Sequence, residues 1–150
     1  MKHVVILVAL LLVVLLIPVQ ISAQPKGQEA VFLESLNAER QALGLAHYTV
    51  NPILELMAAD HVKNMQRYHY CSHVYFDPVT QTFVPITYLQ KYGWTAPFGE
   101  CALMGTTSGD KAVRMFKTSA GHWSALMDSY FNVIGIAKAS DYWCVEIGQE

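Results

Sequence analysis

A chain of 150 residues carrying 10 Lys+Arg against 12 Asp+Glu, with a formal net charge of −2, has room for one domain and no surplus of positive charge. Its few cations are scattered between acids, which excludes the phosphate-neutralising face that nucleic-acid binding requires. The hydrophobic content of 53 % is raised by a single N-terminal run; the rest is ordinary globular composition, long enough to build a core without staples.

Residues 1–23 place Lys2 before an uninterrupted apolar run from Val4 to Ile17, then the helix-breaking Pro18 and the small residues Ser22 and Ala23. That is the layout of a secretory signal with cleavage expected after Ala23. An uncleaved membrane anchor is the alternative, though the run is short for a span. Loss of Lys2 takes the net charge from −2 to −3. Residues 24–28 read as an exposed leader and residues 29–150 as the domain.

From Glu29 to Leu43, Phe32, Leu33, Leu36 and Leu43 recur at helical spacing, and Gly44 supplies a stop. AHYTV is a brief extended stretch. Asn51 followed by Pro52 is a cap with proline at the first helical position. It launches a helix to about Tyr70, with Leu54, Met57, Ala58, His61, Met65 and Tyr68 on one broad face. Residues 71–84 are expected as loop, with Asp77 and Pro78 in a turn. PITYLQKYG reads as a short helix closed by Gly93, and FGECALMG as a strand. Thr107 or Ser108 then caps a helix to about Lys117.

Ser119 is a preferred N-cap residue for the following helix and sets His122 in its first turn. There the free N–H groups and the helix dipole disfavour imidazolium, leaving a lone pair for a metal or a proton. VIGIAKA and YWCVEIG alternate on either side of Ser140 and Asp141, as an antiparallel hairpin does. With no internal repeat, the expected class is α+β, with helices covering a small antiparallel sheet. Cys71, Cys101 and Cys144 allow one disulfide and a spare thiol in an exporting compartment, with three possible pairings. None forms the close pairs of a structural zinc site.

His73 just past a helix, Glu100 on a strand and His122 at a helix start each stand at the edge of a regular element. Two imidazoles and a carboxylate suit a divalent metal with open positions, or a base with its orienting partner. His61, on an apolar helix face, reads as a packed, hydrogen-bonded core residue. Asn37 and Arg40 read as ties from a buried helix face to neighbouring backbone. Met57, Met65, Tyr68, Tyr88 and Tyr92 read as core and rim. Ser119 is not read as a nucleophile, because its hydroxyl is assigned to the cap and no nucleophile elbow surrounds it.

The order LNAERQALGL, YCSH, FDP, GWTAPFGE, TSAGHWSALMD, VIGIAKA and YWCVEIG resembles the CAP superfamily over about residues 31–148. This superfamily comprises cysteine-rich secretory proteins, antigen five and plant pathogenesis-related proteins, here in the compact form common in bacteria. The resemblance implies an α-β-α sandwich with a small antiparallel sheet between helical layers. It also implies a cleft lined by two histidines and one or two acids, in several members occupied by zinc. By this resemblance His73 and His122 are the metal ligands and Glu100 lines the cleft. His61 matches a histidine at that register in bacterial relatives. The second acid of animal members falls near Thr118, which is not acidic, and Cys101 replaces the asparagine usual after the glutamate. On its strand, Cys101 points away from Glu100 and is available for a disulfide.

The function implied is that of a secreted, periplasmic or cell-envelope module whose cleft binds a divalent cation, zinc by analogy, and which engages a lipid, sterol, peptide or protein. The aromatic segment VYFDPVTQTFVP permits an apolar ligand. The alternative is an extracellular hydrolase in which the metal, or His73 oriented by Glu100, activates water. Binding is preferred over catalysis because the sequence offers no recognisable nucleophile, oxyanion hole or HExxH motif. A purely structural envelope component is the third reading.

Overall fold

Two carbonyl-facing N–H groups at the start of the central helix are held by one side chain: Asn51 Oδ1 accepts from Ile53 N at 2.8 Å and Leu54 N at 3.2 Å. Pro52 occupies the first helical position, where its missing donor costs nothing. In the computed structural model, residues 24–150 are described; the expected signal at residues 1–23 lies outside them. The elements run α1 (Gly27–Ala42), β1 (Thr49–Val50), α2 (Pro52–Tyr68), β2 (Val74–Asp77), β3 (Thr82–Pro85) and a 3-10 helix (Ile86–Tyr92). There follow β4 (Phe98–Met104), α3 (Gly109–Lys117), α4 (Ala120–Leu126), β5 (Val133–Ala139) and β6 (Tyr142–Gly148).

Strands pair in the order β1-β5-β6-β4, with β5, β6 and β4 antiparallel and the short β1 parallel to β5. The sheet is therefore mixed rather than wholly antiparallel. The parallel edge arises because β1 is reached through α1 and leads straight into α2. Alternation along β6 sends Trp143, Val145 and Ile147 to one face, where they meet Phe32 and Leu36 of α1, Phe116 of α3 and Leu126 of α4. The opposite face carries Ala102, Ala137 and Cys144 against Ala58, Val62 and Met65 of α2. This is the α-β-α sandwich, and each large side chain buried in it stabilises the fold by about 1.5–3 kcal/mol.

The α2 face of the sheet is lined by small residues, so the helix lies close to it. A Cβ on Gly135 would stand 2.0 Å from the Leu54 carbonyl carbon and 2.3 Å from Glu55 N. On the other side Arg40, 1 % exposed, donates to the carbonyls of Ala46, Leu126, Asp128 and Phe131. Asn37 exchanges hydrogen bonds with Tyr48 N and O. Both residues thus tie α1 to backbone, as their sequence context implies.

Two expectations are corrected here. Residues 71–84 are not loop throughout: β2 and β3 form an antiparallel hairpin joined by a turn over residues 78–81, where Asp77 accepts from Val79 N and Thr80 Oγ1. Helix α1 begins at Gly27. All three cysteines are free. Cys101 packs into the α1/α3/α4 side of the sheet and Cys144 into the α2 side, while Cys71 is exposed. The sheet itself keeps the two buried thiols apart. Among the described residues no helix is long and apolar enough to cross a membrane.

Candidate metal centre

Helix α2 ends where His69 adopts a left-handed conformation (φ 56°), turning the chain toward β2. Asn64 of α2 fixes that strand: its Nδ2 donates to Phe76 O at 2.8 Å and its Oδ1 accepts from Phe76 N at 3.1 Å. The Tyr70 hydroxyl donates to the same Asn64 oxygen and accepts from Phe76 N. His73, one residue before β2, is thereby placed beside Glu100 of β4. Its side chain is 57 % exposed, and its Nδ1 lies 2.8 Å from Glu100 Oε1 on β4.

His122 stands in the first turn of α4 with its ring centre 5.6 Å from that of His73 and the Phe116 ring edge-on at 5.3 Å. The structure therefore brings His73, Glu100 and His122 together from three elements. Because a carboxylate only accepts, His73 Nδ1 carries the proton of that contact, and its Nε2 lone pair is left free in the neutral ring. A carboxylate behind a histidine is the arrangement that orients metal-bound imidazoles.

The electrostatics follow. The hydrogen bond to Glu100, opposed by burial, raises the His73 pKa above its ordinary value. Burial, with the neighbouring His73 charge, lowers that of His122. Burial pushes the Glu100 carboxyl up, but His61 and His73 at its oxygens outweigh this and hold it below the usual carboxylate range. His122 thus favours the neutral ring, chiefly through desolvation. Ser119 occupies the N-cap position but its hydroxyl makes no capping bond, which corrects the expectation. The Thr118 hydroxyl donates to Met115 O at 2.7 Å.

His61 is fully buried and hydrogen-bonded, as a core residue should be, its Nε2–H donating to Val74 O at 3.2 Å. Its other nitrogen, however, lies 2.7 Å from Glu100 Oε2, so it belongs to the same cluster. Cys144 and Glu146 of β6 complete it. Glu146, 0 % exposed, sits directly across from Glu100 in the β4–β6 ladder, and Cys144 Sγ is 3.7 Å from both His61 Nδ1 and Glu146 Oε1. Burial first, and the Glu100 charge second, push the Glu146 carboxyl well above the usual range. One ligand atom from each of His61, Glu100, Cys144 and Glu146 lies within 4.8 Å of the others, a group that could hold a metal ion. The readable signal was Cys144 and Glu146 two apart in YWCVEIG, on one face of a strand paired on both sides.

Residues 33–145 match the sequence model of the cysteine-rich secretory protein family, CAP. Among solved structures, the chain is similar to an extracellular protein containing an SCP domain from Bacillus anthracis, with a TM-score of 0.73 and 20 % identity over 83 % of this chain. It is also similar to a cysteine-rich secretory protein from Staphylococcus aureus, with a TM-score of 0.63 and 16 % identity over 89 % of this chain. An outer surface protein from Borrelia burgdorferi gives 0.66 and 18 % over 80 % of this chain. The chain spans 41 % and 40 % of the first two proteins and 90 % of the third. No curated protein matches the chain in sequence.

Proposed function

The chain belongs to the cysteine-rich secretory protein (CAP) family, and from that premise we propose that it is an exported binding module whose cleft holds a divalent cation between His73 and His122. Glu100 acts behind His73 as its orienting carboxylate. The observation that carries this reading is the 2.8 Å contact of His73 Nδ1 with Glu100 beside a second imidazole 5.6 Å away. With Zn–N of about 2.0–2.1 Å, two imidazoles on one tetrahedral ion have ring centres roughly 5 Å apart, so the observed spacing fits. His73 offers Nε2 to solvent, and desolvated His122 favours its neutral form. Zinc is the ion that such a pair suits, with solvent or ligand at its remaining positions and hence modest affinity.

When bound, the ion supplies a Lewis-acidic point for an oxygen-bearing ligand at the cleft. The β2–β3 hairpin that begins beside His73 carries the exposed Val79 (88 %) and Phe83 (55 %), an apolar rim suited to a lipid or protein partner. Export is supported by the N-terminal signal pattern and by the extracellular or outer-surface description of the similar bacterial proteins. Calorimetric titration with zinc tests the proposal. Wild type is expected to bind, and His73→Ala and His122→Ala each to lose at least the ~10–100-fold in affinity that even an outer-shell partner contributes. Equal isotherms for the three proteins would refute it.

A further inference from the structure

Beneath the cleft, the His61–Glu100–Cys144–Glu146 cluster calls for a cation of its own. His61 Nε2–H donates to the Val74 carbonyl, which turns Nδ1 toward Glu100 and Cys144. That atom lies 2.7 Å from Glu100 Oε2, an ion-pair distance without the alignment of a hydrogen bond. Glu146 Oε2 is likewise buried without a partner. A carboxylate, a buried carboxyl, a thiol and an imidazole nitrogen thus converge where water is excluded, with one oxygen of each acid left without a hydrogen bond, and a divalent cation would satisfy them together.

We propose that these four side chains form a second, closed metal site of zinc type, separate from the cleft. The donor set of one thiolate, one imidazole and two carboxylates is one that Zn2+ accepts, and four protein ligands with no open position mark a structural site. A backbone carbonyl behind the imidazole, as Val74 stands behind His61, is the outer-shell partner such ligands use. Ligand atoms around a tetrahedral ion stand roughly 3.3–3.8 Å apart. The observed separations of 2.7, 3.7 and 3.7 Å, with all four atoms inside 4.8 Å, are within reach through small side-chain rotations.

On binding, Cys144 Sγ, His61 Nδ1 and one oxygen each of Glu100 and Glu146 bond to the ion, while the thiol proton and the Glu146 carboxyl proton pass to solvent. The divalent charge then answers three anionic ligands, leaving roughly one negative charge that the hydrogen bond from His73 to Glu100 Oε1 shares. The site is enclosed by α2 and the sheet, so the ion is taken up as the chain folds. The inference does not depend on the cleft being occupied, although Glu100 faces both places.

Cobalt(II) tests it, because a thiolate-to-cobalt charge-transfer band reports a sulfur ligand and Cys144 is the cysteine in this cluster. The purified protein is unfolded with chelator, refolded with excess cobalt(II), and its near-ultraviolet spectrum recorded. The band is expected in wild type and in His122→Ala, absent in Cys144→Ser, and reached in Glu146→Gln only at ~10–100-fold higher free cobalt. Circular dichroism identifies folded variants, and Glu146→Gln carries the test alone if Cys144→Ser does not fold. No band in wild type, a band that survives in Cys144→Ser, unchanged cobalt demand in Glu146→Gln, or loss of the band in His122→Ala would overturn the inner site. Failure of the cleft reading is separate: it appears as an unaltered zinc isotherm in His122→Ala.

Discussion

Replacing Glu146 by Gln should change how the stability of the metal-free protein responds to pH. The carboxyl is wholly buried, one oxygen lacks a partner, and Glu100 faces it across the ladder. Burial therefore keeps it neutral in the folded state above its ordinary value of 4.5. The unfolded chain ionises at the ordinary value, so rising pH favours unfolding for as long as the folded group stays protonated. The linkage slope for one proton is about 1.4 kcal/mol per pH unit. Between about pH 5 and pH 7 the wild type should lose up to about 3 kcal/mol relative to Glu146→Gln, which has no proton to release. A fixed offset from the unpaired amide, about 1–3 kcal/mol, does not alter that difference in slope. Urea unfolding followed by circular dichroism in chelator, with equal m-values, measures it. Parallel pH profiles for the two proteins would show that the buried carboxyl is not held neutral, and the reasoning would fail.

Other outcomes follow from the same geometry. Zinc affinity should fall on acidification from a pH above the ordinary imidazole range, because Glu100 raises the His73 pKa and protons compete for Nε2; in Glu100→Gln the fall should begin at lower pH, read by zinc titrations across pH. Arg40→Met should cost about 3–5 kcal/mol in urea unfolding, since the carbonyls of Ala46, Leu126, Asp128 and Phe131 lose their donor together. Gly135→Ala should markedly lower the melting temperature, because its Cβ meets Leu54 backbone at 2.0 Å and the helix carrying His61 must move.

The fold was legible where periodicity and caps agree. Asn51–Pro52 announces α2, Gly93 closes the 3-10 helix in a left-handed conformation, and Ser108 caps α3 through a bond to Lys111 N. The β2–β3 hairpin was not, because Asp77–Pro78 signals a turn while the short flanking strands lack clean alternation. The parallel pairing of β1 is a two-residue event that no local pattern encodes.

His73, Glu100 and His122 stood out as polar residues at element edges, and the structure gathers them. His61 reads in the sequence as a packed core residue, Cys144 as a possible disulfide partner and Glu146 as an ordinary strand position, so none of the three reads as a ligand. Their meeting depends on Gly135 and the alanines letting α2 approach the sheet. The cysteines lead to the same point. Composition permits a bridge, but alternation in β4 and β6 places Cys101 and Cys144 on opposite faces.

Anomalous diffraction at the zinc edge, from crystals grown with zinc, tests the cleft assignment most directly. The account predicts a peak between His73 Nε2 and the His122 ring, with Glu100 behind His73 and not bonded to that ion. Clear density for both imidazoles with no zinc between them would contradict it.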